Sequence, residues 1–286
     1  MTSLARVATT GGATWAVRRE GGLHALPDGV TLGGLLAAEG GGLRAAIDGT
    51  LGAAVQGRLL APVDPDTEVW AAGVTYEVSR DAREAESQEA DVYRKVYDAE
   101  RPEVFFKANG WRVVGPEEHI GIREDSSWDV PEPELALVVD ATGAVAGYTI
   151  CNDVSSRSIE GANPLYLPQA KMYQASCALG PWIVPAWEVA DPYGLTIHVQ
   201  ILRDQQQVFA DSASTSTLHR RFEELVAYLF RGEVFPRGVI LSTGTSLVPG
   251  GGFTLQPGDE VVIDITGLGT LRNVVARGRT EPAAGT

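Results

Sequence analysis

The sequence predicts a mostly β fold with some α (α+β), and three observations carry that prediction. From Val69 onward, short apolar runs are separated by Gly and Pro, among them Val69–Gly73, Val104–Phe106, Leu195–Leu202, Gly238–Leu241 and Val261–Ile265. That is the spacing of strands joined by turns. The stretch Pro131–Asp153, PEPELALVVDATGAVAGYTICND, reads as two strands around a turn. Helical character is confined to a few segments, the most distinct being a polar stretch from about Arg80 to Asp98.

In chain order, residues 1 to about 60 are rich in Gly and Ala, with a strand expected at Thr14–Arg19 and a helix around Leu32–Ala38. The segment APVDPDT, Ala61–Thr67, has Pro and Asp where a chain turns and reads as a linker. These features divide the chain into a small N-terminal domain (1–65), a main domain (69–275) and a tail (276–286) expected to be disordered. The Arg80–Asp98 stretch can take Ser79 as its N-cap and carries Glu84, Glu86, Glu89, Asp91 and Lys95. It reads either as an exposed helix with i,i+4 pairs or as a lid over a pocket.

Pro131 and Pro133 fix φ and disfavour a helix, so the two-residue period applies and Glu132 and Glu134 point to one face. Leu135–Val139 is then a buried strand, and Asp140-Ala141-Thr142-Gly143 the turn of a hairpin. Pairing Val139 with Ala144 sets Glu132 opposite Cys151, with Asp153 the next position on that face. A one-residue slip would destroy the arrangement. Two acidic residues on one strand face usually mark a solvated surface. Here like charges lie close together among apolar runs, and a hard cation such as Mg²⁺, Mn²⁺ or Ca²⁺ would relieve their repulsion. Three carboxylates leave open positions on an octahedral ion, which suits a metal that chelates substrate.

The bulk numbers narrow the function. The chain has 286 residues, 44% hydrophobic and 21% charged, as in an ordinary globular protein. Its net charge of −14 argues against nucleic acid or an anionic membrane as partner, but not against a small anionic substrate held in a locally reversed field. No stretch approaches the roughly eighteen apolar residues of a membrane span. The start MTSLARVATTGG has no signal-peptide core, so the cytoplasm is the expected compartment. Cys151 and Cys177 are the only cysteines and give neither a disulfide framework nor a thiolate zinc site.

A series of motifs resembles the fumarylacetoacetate hydrolase family. In order they are AAGVTY (Ala71–Tyr76), FFKA (Phe105–Ala108), VVGP (Val113–Pro116), EPEL (Glu132–Leu135) and GYTICNDVSSR (Gly147–Arg157). QAK (Gln169–Lys171), ALGPWIV (Ala178–Val184), STGT (Ser242–Thr245) and GLGTLRN (Gly267–Asn273) complete it. The resemblance implies a mixed β-roll catalytic domain over about residues 69–275, a small N-terminal α/β domain, a Mg²⁺ or Mn²⁺ ion, and a homodimer or homotetramer. By residue match, Glu132, Glu134 and Asp153 would ligate the metal, while Lys171 and Thr245 would face the substrate.

Members of the family that cleave C–C bonds carry a His and a Glu after the Gly-x-Asn-Tyr segment, and the pair activates water. The corresponding positions are Ser79 and Ala82, so the dyad is missing. AAGVTYEVSRDAR, AERPEVFFKA and SRSIEGANPLYLPQAK are similar to the branch that dehydrates 2-keto-3-deoxy-pentonates. The implied reaction is loss of water from 2-keto-3-deoxy-D-arabinonate or xylonate through a metal-held enolate, giving 2,5-dioxopentanoate. The alternative within the family is a C–C hydrolase or decarboxylase acting on an acylpyruvate or oxaloacetate. Outside it stands a non-catalytic β domain with a structural cation.

The candidate acid–base groups are Lys171 and Glu103. A lysine close to a metal has its pKa lowered, although Lys171 also reads as an ion-pair partner of the carboxylates. Glu103 before a strand reads equally as a surface carboxylate. Substrate-facing candidates are Ser79, Arg80, Lys107, Thr245 and Asn273. Ser79 doubles as a helix cap, Lys107 as a snorkelling side chain, and Thr245 as part of a plain turn.

Overall fold

The computed structural model describes residues 1–37, 41–78 and 95–278. The first strands are β1 (Ser3–Thr9), β2 (Gly12–Arg19), β3 (Gly22–Ala25), β4 (Ala54–Val55), β5 (Arg58–Leu60) and β6 (Glu68–Gly73). Then come β7 (Glu103–Asn109), β8 (His119–Ile122), β9 (Asp129–Val130), β10 (Pro133–Val139), β11 (Val145–Asp153) and β12 (Ser155–Ser156). The last are β13 (Cys177–Pro185), β14 (Thr196–Arg203), β15 (Gln206–Ser214), β16 (Val239–Ser242), β17 (Glu260–Ile265) and β18 (Gly269–Arg277). Short helices at Leu32–Ala37, Gly42–Asp48, Arg157–Ala162 and Leu167–Lys171, and a longer one at Phe222–Leu229, complete the described elements used below.

One large sheet runs β4-β3-β2-β1-β13-β11-β10-β16-β6-β7, with β5 also on β1, and a second sheet runs β15-β14-β17-β18-β8. Neighbours are antiparallel except for the β16–β6 and β18–β8 pairs. The two sheets show the two burial patterns expected of strands. In β14 only Ile197, Val199 and Ile201 are buried while His198 points out, the alternation of a strand with one wet face. Every residue of β10 is buried, because both faces of that strand are covered. On one face Leu135, Leu137 and Ile150 pack with Ile197, Val261, Leu271 and the helix residues Phe222 and Leu225. On the other, Ala136, Val138, Cys151 and Ile183 pack with Trp15, Leu32, Leu36, Leu43 and Ile47 from the N-terminal part.

The N-terminal strands join the large sheet edge-on, Leu4 pairing with Ile183. The segment 61–67, with the Pro and Asp of a linker, is packed rather than exposed. Asp64 is 6% exposed and accepts hydrogen bonds from Trp15 Nε1 (3.1 Å) and the backbone N–H of Gly33 (2.8 Å). At the other end, β18 extends through Ala276 and Arg277, which pair with Gly121 and Ile122, so the ordered chain outlasts the expected start of the tail. Residues 279–286 lie outside the described residues, as do Ser79, Arg80 and most of the polar helical stretch.

The hairpin forms with its turn where the sequence put it and its register two residues away. Asp140 Oδ1 accepts from the Thr142 N–H (2.8 Å), the Thr142 hydroxyl (2.6 Å) and the Ala144 N–H (3.0 Å), while Gly143 adopts φ 85°. This closes the turn between Asp140 and Ala144, and a bulge at Val138/Val139 adds one more residue of offset. Glu134, not Glu132, therefore stands opposite Cys151, and the Asp153 N–H donates to the Glu132 carbonyl at 3.0 Å. An offset of two preserves the face, so the three carboxylates remain together. Cys151 and Cys177 are both free thiols buried under this face.

Candidate active site

Glu132, Glu134 and Asp153 are 3%, 1% and 1% exposed, and one carboxylate oxygen from each lies within 4.8 Å of the others. Their counter-charges are unevenly shared. Lys171, at the end of the Leu167–Lys171 helix, donates to Glu132 Oε2 at 2.6 Å and to Asp153 Oδ2 at 3.2 Å. Arg157, opening the Arg157–Ala162 helix, places Nη1 2.9 Å from Glu132 Oε1 and 2.9 Å from Glu160 Oε2. Lys107 Nζ is 2.5 Å from Asp153 Oδ1, at an angle outside hydrogen-bond geometry, so that oxygen has no hydrogen-bond donor. Glu134 receives only neutral donors, the Ser242 hydroxyl and the Gly244 N–H (2.8 Å).

Electrostatics follow from that allocation. Burial, and then the negative charges of Asp153 and Glu132, push the Glu134 carboxyl up to about 8, against smaller opposing effects from Lys171 and Ser242. A buried acidic cluster that must hold a proton at neutral pH, beside an Asp oxygen lacking a donor, fits a hard divalent cation. Carboxylate oxygens at this spacing suit metal–oxygen bonds of roughly 2.0–2.6 Å. Glu132, Glu134 and Asp153 are the residues that would hold it.

The cavity above the carboxylates is walled by Ala72, Gly73 and Val74 after β6, Glu103 and Phe105 on β7, Glu160, Leu167, Lys171, Gly244 and Thr245. Glu103 reaches this wall because its strand partner is Gly73. A Cβ at Gly73 would fall 2.1 Å from Glu103 Oε2, so only glycine leaves room for the carboxylate. Lys171 Nζ also lies 5.7 Å from the centre of the Phe105 ring.

Other residues singled out in the sequence take different places. Thr245 lines the cavity, but its hydroxyl donates to the Pro133 carbonyl (2.9 Å) and accepts from the Leu247 N–H (3.1 Å). Lys107 is 1% exposed and does not reach the cavity. Besides Asp153 it contacts the carbonyls of Val154 (3.1 Å) and Lys171 (2.5 Å), so it sits behind the carboxylates. Asn273, on β18, donates to the carbonyls of Gly115 (2.9 Å) and Glu118 (3.0 Å) in the second sheet and does not join the group. Ser79 and Arg80 fall outside the described residues. Sequence reading gave no site role to Ser242, the Gly244 N–H or the Arg157–Glu132 contact. Ser242 and Gly244 come from STGT, whose β16 strand pairs with β10, and only that pairing shows which carboxylate they reach.

A two-sheet β fold with a buried three-carboxylate, one-lysine pocket defines the class, and the sequence comparison gives it a name. The model of the fumarylacetoacetate (FAA) hydrolase C-terminal domain matches residues 68–276, and the chain belongs to the fumarylacetoacetate hydrolase family. Among its relatives, a protein of Haloferax volcanii described as a probable 2-keto-3-deoxyxylonate dehydratase is 53% identical over 214 residues, 75% of this chain and 73% of that one. The 2-dehydro-3-deoxy-D-arabinonate dehydratase of Saccharolobus solfataricus is 47% identical over 223 residues, 76% and 74% of the two chains. A solved 2-keto-3-deoxy-D-arabinonate dehydratase complexed with magnesium and 2,5-dioxopentanoate superposes with a TM-score of 0.84 at 38% identity, covering 98% of this chain and 100% of that one.

Proposed function

We propose that this protein is a Mg²⁺-dependent hydro-lyase that removes water from 2-keto-3-deoxy-D-arabinonate or xylonate to give 2,5-dioxopentanoate. The observation that carries the reading is the composition of one cavity: Glu132, Glu134 and Asp153 beside Lys171 and Glu103, with no histidine among its described lining residues. Water activation by a His–Glu pair has no counterpart in the sequence at Ser79 and Ala82, whereas elimination needs no attacking water. The dehydratase relatives and the magnesium and product in the solved neighbour support the same chemistry.

Glu132, Glu134 and Asp153 hold the ion, which when bound supplies Lewis acidity to a chelating 2-oxo acid and so acidifies the C3–H. Glu103 and Lys171 divide the two proton transfers: one takes the C3 proton and the other gives a proton to the departing C4 hydroxyl. Loss of water and a second tautomerisation leave the C5 aldehyde. Lys107 and Arg157 hold Asp153 and Glu132 in place from behind, and Thr245 with Gly244 presents backbone to the substrate carboxylate. Phe105 and Leu167 keep bulk water from the reacting carbons. We further assign residues 1–65 to a small N-terminal domain and 69–275 to the catalytic β-roll, acting as a cytoplasmic homo-oligomer in pentose catabolism. Among the described residues no helix is long and apolar enough to cross a membrane.

The test is direct. Mg²⁺-loaded protein incubated with each 2-keto-3-deoxy-pentonate should form the aldehyde, and chelation should abolish it. Cleavage of an acylpyruvate or oxaloacetate without aldehyde from either sugar acid would overturn the assignment.

A further inference from the structure

We propose that Glu160 sets the substrate class of the pocket, admitting 2-oxo acids with a hydroxylated chain and rejecting those with a second carboxylate at the far end. The inference rests on the reading of the cavity as a 2-oxo-acid site and adds what its distal end selects.

Among the described residues lining the cavity, Lys171 is the only cation, against the carboxylates of Glu103, Glu132, Glu134, Asp153 and Glu160. Three of these cluster within 4.8 Å at the cation-binding end. Glu160 stands outside that cluster, separated from Glu132 by a single guanidinium nitrogen. Arg157 Nη1 is 2.9 Å from Glu132 Oε1 and 2.9 Å from Glu160 Oε2. Glu160 is only 4% exposed, on the first turn of its helix, and borders the cavity together with apolar Val74, Phe105 and Leu167.

A 2-oxo acid places its carboxylate and keto oxygen at the cation end. The rest of its chain must therefore run toward the wall that holds Glu160 and Glu103. A hydroxyl there can donate a hydrogen bond to a carboxylate. A second substrate carboxylate cannot donate, and it would meet like charge inside a wall of low polarity. Arg157 already lies between two carboxylates and has little net charge to offer a third anion. Selection by repulsion is a common route to specificity when the wanted and unwanted ligands share their reactive end.

The experiment compares 2-oxopentanoate with 2-oxopentanedioate, two five-carbon 2-oxo acids that differ only at the terminal carbon. Each is titrated by calorimetry into Mg²⁺-loaded wild-type protein, Glu160→Gln and Glu160→Asp. The wild type should bind the monoacid at least about tenfold more tightly than the diacid, the scale of a like-charge penalty at an interface. Glu160→Gln, which keeps an acceptor for Arg157, should bring the two affinities within about threefold of each other, while Glu160→Asp keeps the preference. Equal affinities in the wild type, or an unchanged ratio in Glu160→Gln, overturn the proposal. The wild-type ratio decides on its own if Glu160→Gln does not fold. Should neither acid bind, the 2-oxo-acid reading falls and takes this inference with it. A protein that dehydrates the sugar acid yet binds both probes equally refutes the inference alone.

Discussion

Glu134 is the carboxylate that the protein itself neutralises least, since its donors are a hydroxyl and an amide while Lys171, Lys107 and Arg157 serve its neighbours. Its carboxyl, pushed up to about 8 by burial and by Asp153 and Glu132, makes metal-free stability pH-dependent. Between the ordinary carboxylate value and about 8, the folded chain keeps a proton that the unfolded chain has released. Raising the pH through that window therefore destabilises the fold. The melting temperature of chelator-treated protein should fall from pH 5 to pH 8, Glu134→Gln should flatten the curve, and saturating Mg²⁺ should remove the fall. A metal-free melting temperature that rises with pH, with no difference in Glu134→Gln, would contradict this. Gly73 poses a second question at the same scale. Gly73→Ala puts a methyl where Glu103 Oε2 lies and must move that carboxylate. If Glu103 transfers a proton, turnover should drop by up to about a hundredfold through misplacement with little change in melting temperature; unchanged turnover would exclude Glu103 from the chemistry.

The hairpin of β10 and β11 is the element that assembles the metal-ligand set, and its turn and site can be separated. Gly143 sits at φ 85°, so Gly143→Val forces a β-branched residue into the left-handed region and should cost about 1–2 kcal/mol in denaturant unfolding. Mg²⁺ affinity should fall less than threefold, because ladder pairs from Leu135–Ile150 to Glu134–Cys151 fix the carboxylates independently of the turn. A large loss of affinity would mean that the turn sets the register alone. This element also shows what was legible. Pro131 and Pro133 imposed the two-residue period, and period-two geometry tolerates an even offset, so the shared face of Glu132, Glu134 and Asp153 could be read. The register itself could not, because it depends on how many groups Asp140 gathers and on a bulge that no residue type announces. Lys107 and Asn273 illustrate the same limit. Each lies in a motif of the family, yet which end of the side chain meets the cavity depends on packing between strands far apart in sequence.

Across the whole molecule, the N-terminal part and the catalytic hairpin share one apolar layer, in which Leu36 and Trp15 pack with Ala136, Val138 and Ile240. Ala61–Thr67 does not uncouple them, since Asp64 is tied to Trp15 and Gly33. Leu36, 1% exposed, should on truncation to Ala destabilise the protein by about 2–5 kcal/mol. Calorimetry should show one transition moved as a whole. Two transitions, with only the smaller shifted, would instead mark independently melting halves. The sequence suggested two bodies from composition alone, and composition cannot register that the second strand layer needs the first to cover it.

The thiols beneath the carboxylates give this shared layer a built-in clock. Cys151 sits opposite Glu134 and is held well above the ordinary thiol value by its contact with Cys177, by burial and by the neighbouring carboxylates. Folded, it is protonated and sealed, and so inert to alkylating reagents. Its rate of labelling under native conditions therefore counts how often the hairpin parts from the N-terminal layer. Slowing of that rate by Mg²⁺ would measure, in units of opening events, how firmly a filled site locks the molecule shut.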